Sequence, residues 1–135
     1  MSMAFQLDDR LAAETVSVMQ SGVVDIRMMR DARYYWLVLV PQIESAVEWF
    51  DLPDVAARGL FTTAQECAQR LQALTRADKM NIAALGNIVK QLHVHVIARH
   101  ESDEAWPRPV WGVGEAVDFD EAELKDRLIA LRAIL

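Results

Sequence analysis

The chain has 135 residues, a formal net charge of −6 and a hydrophobic content of 53%. This length predicts a single domain, residues 1–135, with a core large enough to need neither disulfides nor a structural metal. The acidic balance argues against duplex nucleic acid as a partner, and no stretch approaches the roughly 20 apolar residues that span a bilayer. Cys67 is the single cysteine, so it cannot form an internal disulfide. We therefore expect a cytoplasmic protein that does not bind membranes.

The first half of the chain predicts a hairpin and a long helix. Residues 23–29 and 34–41 are short, rich in β-branched and aromatic side chains and separated by a polar turn, which predicts two antiparallel strands. Residues 53–76 carry apolar side chains at helical spacing. Pro53 suits the first turn of this helix, because its ring already holds the backbone angle that a helix needs.

A second pair of strands is predicted further along the chain. Residues 79–86 and 91–99 are rich in aliphatic side chains. Gly86 and Asn87 between them favour a tight reversal of the chain.

The order of these elements predicts the fold class. After the last strand, residues 101–135 comprise a Trp- and Pro-containing stretch and an amphipathic helix that Asp120 caps. Strands in adjacent pairs around one long helix predict an α+β domain with an antiparallel sheet, because each parallel pair would need a crossover connection. We place the core of the domain at about residues 5–100.

The most informative stretch is QLHVHVI, residues 91–97, which holds two of the three histidines. Side chains alternate across a strand, so Leu92 and Val94 share one face while His93 and His95 share the other. We expect the aliphatic face to pack on the core and the histidine face to be the outer face, which is wet or functional.

Three interpretations of the histidine pair are open from these residues alone. Both histidines could be semi-exposed strand residues with no chemistry. They could hold zinc, although zinc needs a third ligand and Cys67 lies on the inner stripe of the long helix. In the third interpretation, one neutral imidazole attacks phosphorus and its neighbour assists, because the ordinary pKa of histidine, about 6.5, leaves a neutral fraction at physiological pH.

Three motifs resemble those of the histidine triad (HIT) family, whose signature alternates three histidines with hydrophobic residues on a strand. They are QLHVHVI, the earlier strand DARYYWLVLVP and the longer stretch ALGNIVKQLHVHVIAR, which is similar to small bacterial members. The resemblance implies a HIT-like fold with about five strands, one long helix and a C-terminal helix. It also implies a small nucleotide as ligand, no cofactor, no metal and a homodimer.

The same resemblance implies roles for the residues of the motif. His93 takes the second triad position and would be the nucleophile that forms a nucleotidyl-histidine. His95 would hydrogen-bond the phosphate or the leaving group. Gln91 replaces the first histidine and, because an amide both donates and accepts, could orient His93 or a phosphate. Trp36 and Ile88 stand where other members place a histidine and a serine, which would leave protonation of the leaving group to His95.

Binding residues follow from the resemblance as well. Asp31 matches the acid that accepts the ribose hydroxyls, although a turn residue is an equally good interpretation. Asn81 and Asn87 flank the predicted turn and are candidates to hold phosphate oxygens. Trp106 and Trp111 could close over a base or could fill the core.

We therefore predict a nucleotidyl hydrolase or transferase that cleaves a nucleoside phosphoramidate, a dinucleoside polyphosphate or a related nucleotide conjugate. The substitutions at Gln91 and Trp36 motivate an alternative, a nucleotide-binding module with little turnover. A metal-dependent hydrolase is the third hypothesis.

Overall fold

The computed structural model describes residues 4–135, which form an α+β fold around one five-stranded antiparallel sheet with the order β1-β2-β3-β5-β4. A 22-residue helix and a C-terminal helix pack on the sheet. The predicted fold class is confirmed. In chain order the elements are α1 (Asp9–Glu14), β1 (Thr15–Ser21), β2 (Val24–Met29), β3 (Trp36–Pro41), a 3₁₀ turn (Trp49–Asp51), α2 (Asp54–Thr75), β4 (Lys79–Ala83), β5 (Val94–Arg99) and α3 (Glu121–Ile134).

The hairpin, the long helix and the final helix lie where the sequence predicts them. β2 and β3 pair antiparallel. The Asp120 side chain accepts a hydrogen bond from the backbone N–H of Glu123 at 2.8 Å, so Asp120 caps α3 as expected.

The predicted tight turn at Gly86 and Asn87 is wrong. β4 ends at Ala83 and β5 begins only at Val94. The chain does bend sharply near Gly86, where a Cβ atom would lie 2.7 Å from the backbone oxygen of Val89. This bend starts a longer connection, residues 84–93, between two strands that do pair antiparallel as predicted. His93 lies at the end of the connection, directly before β5.

The expectation that the histidine side of the strand lies on the outside of the domain is also wrong, because both faces of β5 are buried. On one face, Val94 and Val96 join the main core under α2 and α3. On the other face, Ile97 belongs to a second apolar cluster that includes Leu11 from α1 and Val110 from the segment before α3. Chain segments far away in sequence therefore cover the histidine face, which single-strand periodicity does not reveal.

Arg99 fixes the segment that provides part of this cover. Its side chain is buried and donates two hydrogen bonds to Asp103, at 2.8 and 3.0 Å. It also donates to the Asn81 side-chain oxygen and to the backbone oxygen of Arg108, both at 2.8 Å. The guanidinium thus ties β5 to β4 and to the residues that lead toward Trp111.

We expect Arg99→Met to lower the free energy of unfolding by about 3–5 kcal/mol, because it leaves the buried Asp103 carboxylate without its charged partner. Urea titration followed by circular dichroism measures this. Arg58→Met, at an exposed position on α2, is the control and should change stability by less than about 0.5 kcal/mol. Equal effects of the two substitutions would show that the Arg99 network is dispensable.

Candidate active site

A cavity of about 660 Å³ opens next to the two histidines. This volume lies within the range of about 300–1,000 Å³ that is typical of small-molecule sites. Six parts of the chain line it: α1, the end of β2 with the following turn, the start of β3, the connection between β4 and β5, β5 itself, and the segment before α3. The lining residues include Arg10, Leu11, Glu14, Arg30, Asp31, Arg33, Trp36, Asn87, Ile88, His93, His95, Trp111 and Val113.

A hydrogen bond to the backbone fixes the tautomer of His93. Its Nδ1 lies 2.7 Å from the backbone oxygen of Gln91. A carbonyl oxygen only accepts, so Nδ1 must carry the proton. The neutral ring therefore keeps its lone pair on Nε2, which is the arrangement that a nucleophilic imidazole needs.

The tautomer of His95 is fixed in the opposite sense. The indole Nε1–H of Trp36 donates to His95 Nδ1 at 3.0 Å. An indole nitrogen only donates, so His95 Nδ1 must be the acceptor and the proton of the neutral ring lies on Nε2. That Nε2 is buried and has no hydrogen-bond partner among residues 4–135. An unpaired buried donor is costly, and a ligand oxygen beside it would remove the cost.

Aromatic neighbours keep His95 neutral. Its ring lies in edge contact with the rings of His93, Trp111 and Trp36, at centroid distances of 4.8, 4.9 and 5.6 Å. Burial, followed by the proximity of His93, lowers the pKa of His95 to about 4. The backbone of Leu85 is close enough to offset part of this shift, but it makes no hydrogen bond to the ring. Without a ligand, His95 is therefore a neutral hydrogen-bond donor at pH 7.

Asp31 lies in the cavity wall, but its carboxylate is already engaged. It accepts hydrogen bonds from Arg33 Nε at 3.0 Å and Nη2 at 2.8 Å, and from the backbone N–H groups of Arg33 and Val117. Hydrogen bonding to Asp31 holds the pKa of the Arg33 guanidinium above its ordinary value. Arg33 also donates to the backbone oxygen of Val113 at 2.8 Å. A ribose hydroxyl on Asp31 would have to share its oxygens with this network.

The other residues predicted for the site divide into two groups. Asn87 lines the cavity as expected. Asn81 does not line it, and its side-chain oxygen accepts from Arg99. The Gln91 side chain does not line it either, because its amide bonds the backbone of Gln6 and Asp8. Gln91 does orient His93, but through its backbone carbonyl and not through the predicted amide.

Sequence reasoning missed much of the cavity wall. Arg10, Arg30 and Arg33 all line it, and each is paired with a nearby carboxylate. Nothing in their local patterns distinguishes them from surface arginines. Trp111, a candidate because of the family resemblance, does line the cavity. Trp106 does not, and it lies under the guanidinium of Arg99 instead.

The described residues do not support the interpretation of the histidine pair as a metal site. Within residues 4–135, no three His, Cys, Asp or Glu side chains are grouped so that they could hold a metal ion. Cys67 is buried in the main core, where burial raises the pKa of its thiol to about 11. Its thiolate, the form that binds metals, is therefore disfavoured.

Comparisons with known proteins identify the family. The HIT domain model matches residues 10–102. Solved histidine triad proteins from Bradyrhizobium japonicum and Sinorhizobium meliloti 1021 are both 42% identical, with TM-scores of 0.95 and 0.94 over 98% and 97% of both chains. A third, from Marinobacter aquaeolei VT8, is 37% identical, with a TM-score of 0.96 over 98% of this chain and 97% of that one. No curated protein matched. The chain belongs to the histidine triad family.

This finding confirms the resemblance on which the sequence interpretation depends. The homodimer and the small nucleotide ligand stay predictions. None of the helices in the described part of the chain is long and apolar enough to cross a membrane.

The lowered pKa of His95 predicts how stability depends on pH. The ordinary value is 6.5 and the folded value is about 4, so between these limits the unfolded chain binds more protons than the folded one. Stability therefore falls as the pH falls through this window, by up to about 3 kcal/mol from His95 alone. Urea unfolding of wild type and His95→Gln at several pH values measures this, because glutamine can still accept from Trp36 but does not titrate. Identical slopes for the two proteins would contradict the assignment.

Proposed function

We propose that the protein is a nucleotidyl hydrolase or transferase that acts on a purine nucleoside phosphoramidate, a dinucleoside polyphosphate or a related nucleotide conjugate. The observation that carries this proposal is the opposite tautomers of His93 and His95. One ring offers a lone pair on Nε2 and the other offers a proton on Nε2, and both rings line the same cavity.

In the first step, His93 Nε2 attacks the α-phosphorus of the nucleotide. A nitrogen–phosphorus bond forms as the bond from phosphorus to the leaving group breaks, and the leaving group takes the electron pair of that bond. The Nδ1–H···O=C hydrogen bond to Gln91 stabilises the positive charge that develops on the attacking ring.

His95 serves the phosphate and the leaving group. Its Nε2–H can donate to a non-bridging phosphate oxygen. An anionic phosphate beside the ring favours the charged imidazolium, so binding of the substrate raises the pKa of His95 above its low value in the free protein. Charging the ring takes a proton from solvent onto Nδ1, so the hydrogen bond from the Trp36 indole N–H must break for this step. The imidazolium then passes its Nε2 proton to the departing group, and the neutral ring that remains carries its proton on Nδ1.

In the second step, water or another acceptor attacks the phosphorus of the nucleotidyl-histidine. The bond to His93 Nε2 breaks and the ring recovers its lone pair. With water, the nucleotide leaves as a monophosphate, and the proton that water releases passes to Nε2 of neutral His95 or to solvent. Loss of the Nδ1 proton to solvent then restores the resting tautomer of His95. No residue beyond the pair has to change its protonation state.

The walls of the cavity suggest how the nucleotide is held. Trp111 lies beside His95 and offers an apolar surface for a base. Asn87 can donate to a phosphate oxygen. Asp31 receives the ribose in this proposal only by sharing its oxygens with Arg33, and Asn81 has no place in it because its side chain is bound to Arg99.

A nucleotide-binding module with little turnover is the second candidate. The low pKa of His95 favours it, because a ring that stayed neutral in the complex would bind a phosphate oxygen but could not protonate a leaving group. The two candidate functions differ in whether nucleotide binding leads to protonation of the His95 ring.

Hydrolysis of a fluorogenic adenosine phosphoramidate tests the proposal. We compare wild type with His93→Ala and His100→Ala, in buffer that contains a chelator. His100 is the matched control, because it follows β5 but does not line the cavity. We expect His93→Ala to lose about 10³-fold or more of the wild-type kcat/KM, since it removes the nucleophile, and His100→Ala to stay within about twofold.

Comparable turnover by His93→Ala and wild type would overturn the role of His93. Loss of wild-type turnover in chelator would favour a metal-dependent hydrolase. If wild type binds AMP but turns nothing over, the binding module replaces the enzyme as the better account.

A further inference from the structure

The Gln91 side chain joins the histidine motif to the N-terminal segment of the chain. Its Oε1 accepts from the backbone N–H of Asp8, and its Nε2 donates to the backbone oxygen of Gln6, both at 2.8 Å. The partners are a backbone donor and a backbone acceptor, so both ends of the amide are used and its orientation is fixed.

The same contact anchors the start of α1. Asp8 caps this helix, since its carboxylate accepts from the backbone N–H groups of Arg10 at 2.8 Å and Leu11 at 3.4 Å. The residue that Gln91 holds is therefore the residue that starts the helix. α1 in turn supplies Arg10, Leu11 and Glu14 to the cavity wall.

This short helix depends on such anchors. α1 has six residues, too few for a helix to be stable without tertiary contacts. Leu11 is buried in the second apolar cluster, and Phe5 and Leu7 pack against it while remaining partly exposed. The two hydrogen bonds of Gln91 add directional contacts to this packing, and glutamate could provide only the acceptor of the pair.

We propose that Gln91 is a positioning residue that holds α1 as a wall of the nucleotide cavity, and that it determines substrate affinity rather than the rate of the chemical step. The inference rests on the proposed function for its catalytic readout. The two hydrogen bonds between the Gln91 side chain and the N-terminal segment can also be tested without any substrate.

The first test is limited proteolysis of the native protein by trypsin, which cuts after Arg10. The variants are Gln91→Leu, which removes both hydrogen bonds, and Gln91→Glu, which keeps the acceptor for the Asp8 N–H. Gln69→Leu, at an exposed position on α2, is the control. A net hydrogen bond shifts an equilibrium by roughly 2- to 12-fold. We therefore expect the fragment that begins at Leu11 to form at least about fivefold faster in Gln91→Leu, more slowly in Gln91→Glu than in Gln91→Leu, and at the wild-type rate in Gln69→Leu.

The second test separates affinity from chemistry. For the adenosine phosphoramidate, we expect Gln91→Leu to raise KM at least about fivefold and to change kcat less than KM, because the substitution keeps the backbone oxygen that accepts from His93 Nδ1. A fall in kcat with an unchanged KM would place Gln91 in the chemical step and overturn the proposal. An unchanged rate of tryptic cleavage after Arg10 in Gln91→Leu would show that the two hydrogen bonds of the Gln91 side chain do not hold α1.

Failure of the proposed function can be told apart from failure of this inference. If wild type shows no turnover, the affinity for AMP replaces KM as the second readout. Faster proteolysis together with weaker AMP binding in Gln91→Leu would then support the positioning role although the protein is not an enzyme. Wild-type AMP affinity in Gln91→Leu would overturn it.

Discussion

The hydrogen bond from His93 Nδ1 to the backbone oxygen of Gln91 is the constraint on which the rest of the site depends. It places the ring proton on the nitrogen away from the reaction and leaves the lone pair on Nε2. Trp36 imposes the opposite arrangement on His95 through its indole N–H. One imidazole of the adjacent pair therefore offers a lone pair on Nε2, and the other offers an N–H donor on Nε2. A histidine at position 36 could donate or accept, whereas tryptophan can only donate.

The architecture around the two histidines keeps both rings buried. Water would let both rings exchange tautomers and would raise the pKa of His95 toward its ordinary value. The cover that excludes water comes from α1 on one side and from the segment before α3 on the other. Arg99 and Arg33 hold the second cover through hydrogen bonds to Asp103 and to backbone oxygens. The arginines therefore act on the site by fixing the chain that encloses it.

Much of the fold could be predicted from the sequence, because local patterns specify β2, β3, α2 and α3. β1 was not predicted, since it is an edge strand whose pairing shifts register between Ser17 and Met19 and its alternation is weak. The histidines could be found from their spacing and their resemblance to a family. The contacts that define their surroundings could not, because they join residues such as Gln6 and Gln91, which lie 85 positions apart. Periodicity along one strand gives no information about such partners.

Nitrogen-15 NMR of histidine-labelled protein measures the ring tautomers directly and tests the central claim. At pH 7 the account predicts that His93 Nδ1 is protonated and that His95 is neutral, with its proton on Nε2. His100, which does not line the cavity, is the internal reference, and substitution of each histidine in turn assigns the signals. The same tautomer on both site histidines, or a charged His95 in the free protein, would contradict the account.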